Sequence, residues 1–232
     1  MANAIELRKQ YSTLLDEVYK LSSLTAVLDG PNELVREGAN ANEILIPKMS
    51  MQGLADYNKN TGYVAGDVTL DYETKKCAYD RGRMFNVDAM DNIESAGIAF
   101  GRLSGEFLRT QVVPELDAYR LAAYAQIAGV TTVKGVLANG KEALAALRAA
   151  RGKIENAEAN LATCYLFINP TVYGMIEDLD TTASKKAIEG FAGIVKVPSG
   201  RFYSKVKLNA SGAGGFAKDT GGVAMNFLIV DK

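Results

Sequence analysis

The stretch from Asp91 to Ala128 constrains the possible folds of this chain most. Apolar residues fall at Ile93, Ala96, Phe100, Leu103 and Phe107, and again at Leu116, Tyr119, Ala123 and Ile127. Steps of three and four place them along one face of a helix. Asp91 with Glu94 three places on reads as a capping box, and Gly129 supplies the stop. Unbroken, the element is ~57 Å long, against an average helix of about 11–12 residues. Pro114 interrupts it. A proline cannot donate to the carbonyl of Thr110 and crowds it, so the expectation is a kink or two helices in tandem.

The same stretch carries Gly97, Gly101 and Gly105, four apart and on one face. Each costs roughly 1 kcal/mol against alanine inside a helix. The usual compensation is close approach of another backbone, either within the chain or from a neighbouring subunit, and the spacing does not choose between them. A membrane-helix reading fails because Glu94, Arg102, Glu106 and Arg109 interleave with the glycines.

Residues 4–24 read as an amphipathic helix with Leu7, Tyr11, Leu14, Val18 and Leu21 on one stripe, closed by Gly30-Pro31. Two heptads are too few for a coiled coil, so an arm packed on the body or on a neighbour is expected. Residues 42–90 are β-rich. Ile44 to Ile46 begins a strand that Pro47 makes an edge or a bulged one, and residues 58–62 form a loop tip. Val68, Leu70 and Tyr72 alternate with Thr69, Asp71 and Glu73, which predicts a half-buried strand. A second run, Lys76 to Val87, holds Asp80, Arg81 and Arg83. Together they predict a long two-stranded projection with a charged face. A hairpin alone is marginal in water, so it is expected to lie on another surface. Its mixed charges suit either a solvated face or an intersubunit salt-bridge seam.

Beyond the long helix an α+β region is expected. It has helices over 141–156 and 182–189 and a helix start at Asn169-Pro170. Strands are expected over 162–168, 194–197, 202–208 and 223–230, with a glycine-rich loop over 209–222. There is neither an internal repeat nor a domain-scale linker.

Composition excludes several functions. The chain has 232 residues, enough to bury a core, with 26 Lys+Arg against 27 Asp+Glu. A net charge of −1 offers no global field for sequence-reading DNA binding. No run of about 18 apolar residues and no signal-peptide pattern occurs, so a membrane span is not expected. Histidine is absent and there are two cysteines, Cys77 and Cys164, which speaks against a zinc site and against a disulfide framework. Gly135-x4-Gly140-Lys141-Glu142 imitates a phosphate-binding loop. A working loop has Ser or Thr after the lysine, and Glu142 suits the first turn of a helix instead. Glycines 212–215 lack the strand-to-helix setting of a dinucleotide turn and read as a hairpin loop. Expected catalytic, cofactor-binding and metal-binding residues: none.

Several ordered strings resemble major capsid proteins of tailed bacteriophages of Gram-positive hosts. They are the run from Ile46 to Tyr57, Gly66 to Leu70, Asp80 to Arg83 leading to Asp88 to Asp91, Ala96 to Phe107, and Val113 to Arg120. The resemblance covers most of residues 1–208 and is densest between 44 and 124. It implies the Hong Kong 97-type capsid fold, an α+β fold shared with encapsulins. In that fold 1–40 is an N-terminal arm, 41–90 an extended β loop that overlaps a neighbour, and 91–128 the spine helix of the peripheral domain. Residues 129–222 are the axial domain, and 223–232 a strand returning toward the peripheral domain. Family members continue further, so the resemblance implies a chain ending short of the full fold.

The function so implied is an icosahedral head shell enclosing phage DNA, built by self-assembly without enzyme chemistry or cofactors. Implied partners are other copies in hexamers and pentamers, scaffold, portal and possible decoration proteins, and weak non-specific contact with packaged DNA, but no membrane. The implied location is the virion capsid, with the host cytoplasm before and during assembly. An encapsulin-like cellular compartment is the alternative on the same fold. A nucleotide-binding enzyme using Gly135 to Lys141 is a distant second. Candidate assembly contacts are Asp67, Asp71, Glu73, Asp80, Arg81, Arg83, Gly97, Gly101 and Gly105.

Overall fold

The computed structural model describes residues 23–30, 36–37, 43–60, 62–76, 79–85, 98–133, 135–210 and 214–232. The expected N-terminal helix up to residue 22, the capping box at Asp91 and Glu94, Gly97 and Cys77 lie outside these. The chain divides into two units, Gly30–Asn86 and the remainder, Met1–Asp29 with Val87–Lys232.

The Gly30–Asn86 unit is an antiparallel sheet of β1 (Arg36–Glu37), β2 (Glu43–Met51) and β3 (Val68–Lys76), in that order. β2 and β3 pair without a bulge, from Glu43 opposite Lys76 to Met51 opposite Val68. The projection is therefore built differently from the sequence expectation. The partner of β3 is 43–51, and the run expected as a strand over 76–87 has no regular structure across 79–85. Asp80 and Gly82 are poor strand formers, which accounts for its failure to extend. Pro47 lies inside β2 opposite Tyr72. The described part of β1 reaches only Ile44 and Leu45, so its missing N–H breaks no pairing on that side. The loop tip forms as expected: Asn58 and Gly62 bridge, with Gly62 at φ +80°.

The larger unit opens with α1 (Ile98–Phe107), a π-helical turn (Leu108–Val112) and α2 (Val113–Ala125). The helical stretch continues through Pro114 in two α-helical parts. One wider turn precedes the proline, in which the Val113 N–H bonds the Leu108 carbonyl, and Pro114 sits in the first turn of α2, where no donor is required. The helix stops at Ala125, capped by Gln126, short of the expected Ala128.

α3 (Gly140–Asn156), β4 (Cys164–Ile168), α4 (Pro170–Glu177), α5 (Thr182–Ile188) and β5 (Gly193–Lys196) follow, close to their expected bounds. β6 (Val206–Leu208) and β7 (Phe216–Lys218) form a hairpin around the glycine-rich segment, and β8 (Phe227–Asp231) is last. β7 corrects the reading of 209–222 as loop throughout.

β4 is the middle strand of a sheet, parallel to β5 and antiparallel to β8. Its nearly continuous apolar run follows from burial on both faces. Leu166 and Ile168 pack with Leu147 of α3 and Ile176 of α4. Phe167 packs on the opposite face with Leu121 of α2 and with Val197 and Phe202. The strand expected to return toward the peripheral domain is thus bonded to β4, while its Leu228 and Val230 join the cluster around Leu121. The architecture is mixed α+β.

Candidate assembly surface

The β2–β3 hairpin has two chemically distinct faces. Paired residues of an antiparallel ladder share a face. The pairs Met51–Val68, Met49–Leu70 and Pro47–Tyr72 make one of them apolar. That face is open to solvent: Met51 is 68% exposed, Val68 65%, Met49 59%, Leu70 51% and Tyr72 47%. The half-buried strand expected from the alternation is therefore corrected, since every residue of β3 is exposed. Among residues 43–60, 62–76 and 79–85 none is buried.

The other face carries Thr69, Asp71, Glu73 and Lys75 opposite Ser50, Lys48, Ile46 and Ile44. Asp71 faces Lys48, and Glu73 bonds the Lys75 ammonium at 2.5 Å. That hydrogen bond, reinforced by the lysine's charge, holds the Glu73 carboxyl below the usual carboxylate range. At the Glu43 end of the hairpin, on the same face as Pro47 and Tyr72, Glu43 pairs with Lys76 at 3.6 Å. At the hairpin's other end Asp67 closes the ladder against Gln52, whose N–H donates to the Asp67 carbonyl. The structure therefore places Asp71 and Glu73 on β3, with Asp67 immediately before it. Asp80, Arg81 and Arg83 are exposed in the irregular 79–85 segment, outside the ladder.

Of the three helix glycines, Gly101 and Gly105 lie in α1. A methyl group added at Gly105 would meet nothing within 4 Å among the described residues. Close packing inside the described chain thus gives no reason for this glycine.

Sequence reading missed the anchor on α2. Asp117 is fully buried. Its carboxylate accepts from the Ser23 hydroxyl at 2.6 Å, the Leu24 N–H at 3.0 Å, and the Thr25 hydroxyl and N–H at 2.7 and 3.2 Å. Arg201 lies 3.6 Å away, and Arg120 one turn on binds Asp29 at 3.0 Å. The site ties the end of the N-terminal segment to the long helix. The only signal in the sequence was a carboxylate on an otherwise apolar helical stripe. Met49 and Met51 were also missed, although they continue the period-two pattern past Pro47.

The imitation phosphate loop is occupied by its own side chains. Asn139 caps α3 by accepting from the Glu142 N–H at 3.0 Å. Glu142 in return accepts from the Ala138 N–H at 2.9 Å and the Asn139 amide at 3.0 Å. The Ala138 and Glu142 N–H groups are thus engaged within the cap, and Glu142 puts a negative charge where a phosphate would lie. At Gly140 a β-carbon would stand 2.1 Å from the Met175 carbonyl oxygen, so this glycine serves close packing on α4.

Among the described residues, no helix is long and apolar enough to cross a membrane, and no group of three or more His, Cys, Asp or Glu is placed to hold a metal ion. Comparison of the chain with protein-family models, curated proteins and solved structures finds no match in any of the three.

Proposed function

We propose that this chain is a shell-forming subunit, the major capsid protein of a tailed-phage head with the Hong Kong 97-type fold. The observation that carries this reading is the Gly30–Asn86 unit, where residues 43–60, 62–76 and 79–85 include no buried one yet present a row of five large apolar side chains. Burying what those five expose is worth roughly 5 kcal/mol at the usual value per apolar side chain. A shell of many copies provides such a surface for every hairpin. Gly105 is consistent with this, since its open flank leaves room for a neighbour's backbone. In this reading the chain functions in the virion, after assembly in the host cytoplasm. Its partners are further copies of itself, with scaffold, portal and decoration proteins at particular positions. Light scattering on the purified protein, with and without scaffold, tests the proposal. Masses of rings or shells support it, and a monomer under every assembly condition contradicts it.

A further inference from the structure

The chain is nearly neutral as a whole, but its cations are not evenly spread. Between Glu189 and Asp219 there are five Lys or Arg and no Asp or Glu. Two of the five are engaged within the fold: Lys196 lies 3.9 Å from the centre of the Tyr173 ring, and Arg201 pairs with Asp117. The other three are Lys205, Lys207 and Lys218. All are exposed, and none forms an ion pair among the described residues.

These three stand on a firm support. The β6–β7 ladder is extended toward the core by bonds from the Asp219 N–H to the Lys205 carbonyl, the Ser204 N–H to the Val223 carbonyl and the Met225 N–H to the Phe202 carbonyl. Phe202 is fully buried against Leu121 and Phe167. The ribbon is thus rooted in the core and carries its lysines outward. At its far end the Asn209 amide donates to the Gly214 carbonyl at 2.9 Å. Asp219, next to Lys218 in the chain, accepts from the Thr220 N–H at 2.8 Å.

We propose that the ribbon bearing Lys205, Lys207 and Lys218 contacts the phosphate backbone of duplex DNA without reading sequence. Lys205 and Lys207 lie two strand residues apart, about 6.8 Å. Flexible lysine side chains at that spacing can reach separate phosphates of one duplex strand. Flexible ammonium groups on a narrow ribbon suit a uniform line of point charges. The inference deepens the shell reading by giving the enclosed DNA a contact element on the subunit.

The test uses the full chain, unassembled, with a fluorescent duplex of about 30 base pairs titrated at salt concentrations from about 25 to 200 mM. Three phosphate contacts predict a slope of log affinity against log salt of about −2.7. The variant Lys205→Gln/Lys207→Gln/Lys218→Gln is expected to lose at least about tenfold in affinity at low salt, with an unchanged melting temperature, because none of the three side chains is paired. Should the triple variant not fold, each single Gln variant is expected to flatten the slope by about 0.9. Equal binding by wild type and variants overturns the proposal, as does absence of wild-type binding at the lowest salt. Tighter binding of a labelled polyglutamate of equal charge also overturns it, in favour of an acidic protein. Assembly is read separately by light scattering, so failure here leaves the shell reading standing.

Discussion

Thr25 and Asp117, 92 residues apart, meet at one carboxylate oxygen, which accepts from both the hydroxyl and the N–H of Thr25. With Ser23 and Leu24 this makes four donors on one buried carboxylate. Asp117→Ala leaves those donors and Arg201 without their acceptor. A loss of about 3–5 kcal/mol is expected, measured by urea denaturation. Asp117→Asn is expected to fall between the two. A loss below about 1 kcal/mol for the alanine variant contradicts the anchor.

Two glycines in helices are expected to respond oppositely. Gly140→Ala drives a methyl group into the Met175 carbonyl and is expected to cost about 1–3 kcal/mol. Gly105→Ala meets open space and is expected to raise the stability of the unassembled chain by up to about 1 kcal/mol. In the shell reading the same substitution weakens assembly. If it strengthens both, Gly105 lies outside the subunit interface.

The Glu73 carboxyl is depressed by its hydrogen bond to Lys75 and then by that lysine's charge. A carboxyl with a lowered folded-state pKa stabilises the fold above its unfolded value, and the contribution is lost as pH falls through the folded value. NMR titration is expected to find Glu73 below an ordinary glutamate in the wild type and shifted upward in Lys75→Gln. Asp180 is lowered in the same way by Lys185, 2.7 Å away, and is expected to rise in Lys185→Gln.

Arg83 is exposed beyond the hairpin. Arg83→Glu is expected to slow association by about tenfold, beyond what any change in melting temperature accounts for, as for a charge that meets a neighbour. A fall in melting temperature that matches the loss of assembly assigns Arg83 to the fold instead.

The larger unit was legible because its signals are local. Asn169 and Pro170 dictate a helix start within three residues, and the apolar run into Ile168 marks a strand covered on both faces. The projection was only half legible. Alternation at Val68, Leu70 and Tyr72 located a strand, but register depends on a partner that Pro47 disguised, and period two does not say whether the apolar side is covered. Pro114 announced an interruption but not its form: the clash four residues back is met by one π turn between the two α-helical parts. The Asp117 anchor depends on residues 84 or more positions away, so no window of sequence contains it.

The most direct measurement compares wild type with Met49→Asp/Leu70→Asp by negative-stain electron microscopy and mass on the same samples. The two substitutions put charge on the apolar face without touching a buried residue. The account predicts rings or closed shells from the wild type, and only subunits of unchanged melting temperature from the variant. Shells of normal size from the variant, or a wild type that stays monomeric even with scaffold, would contradict it.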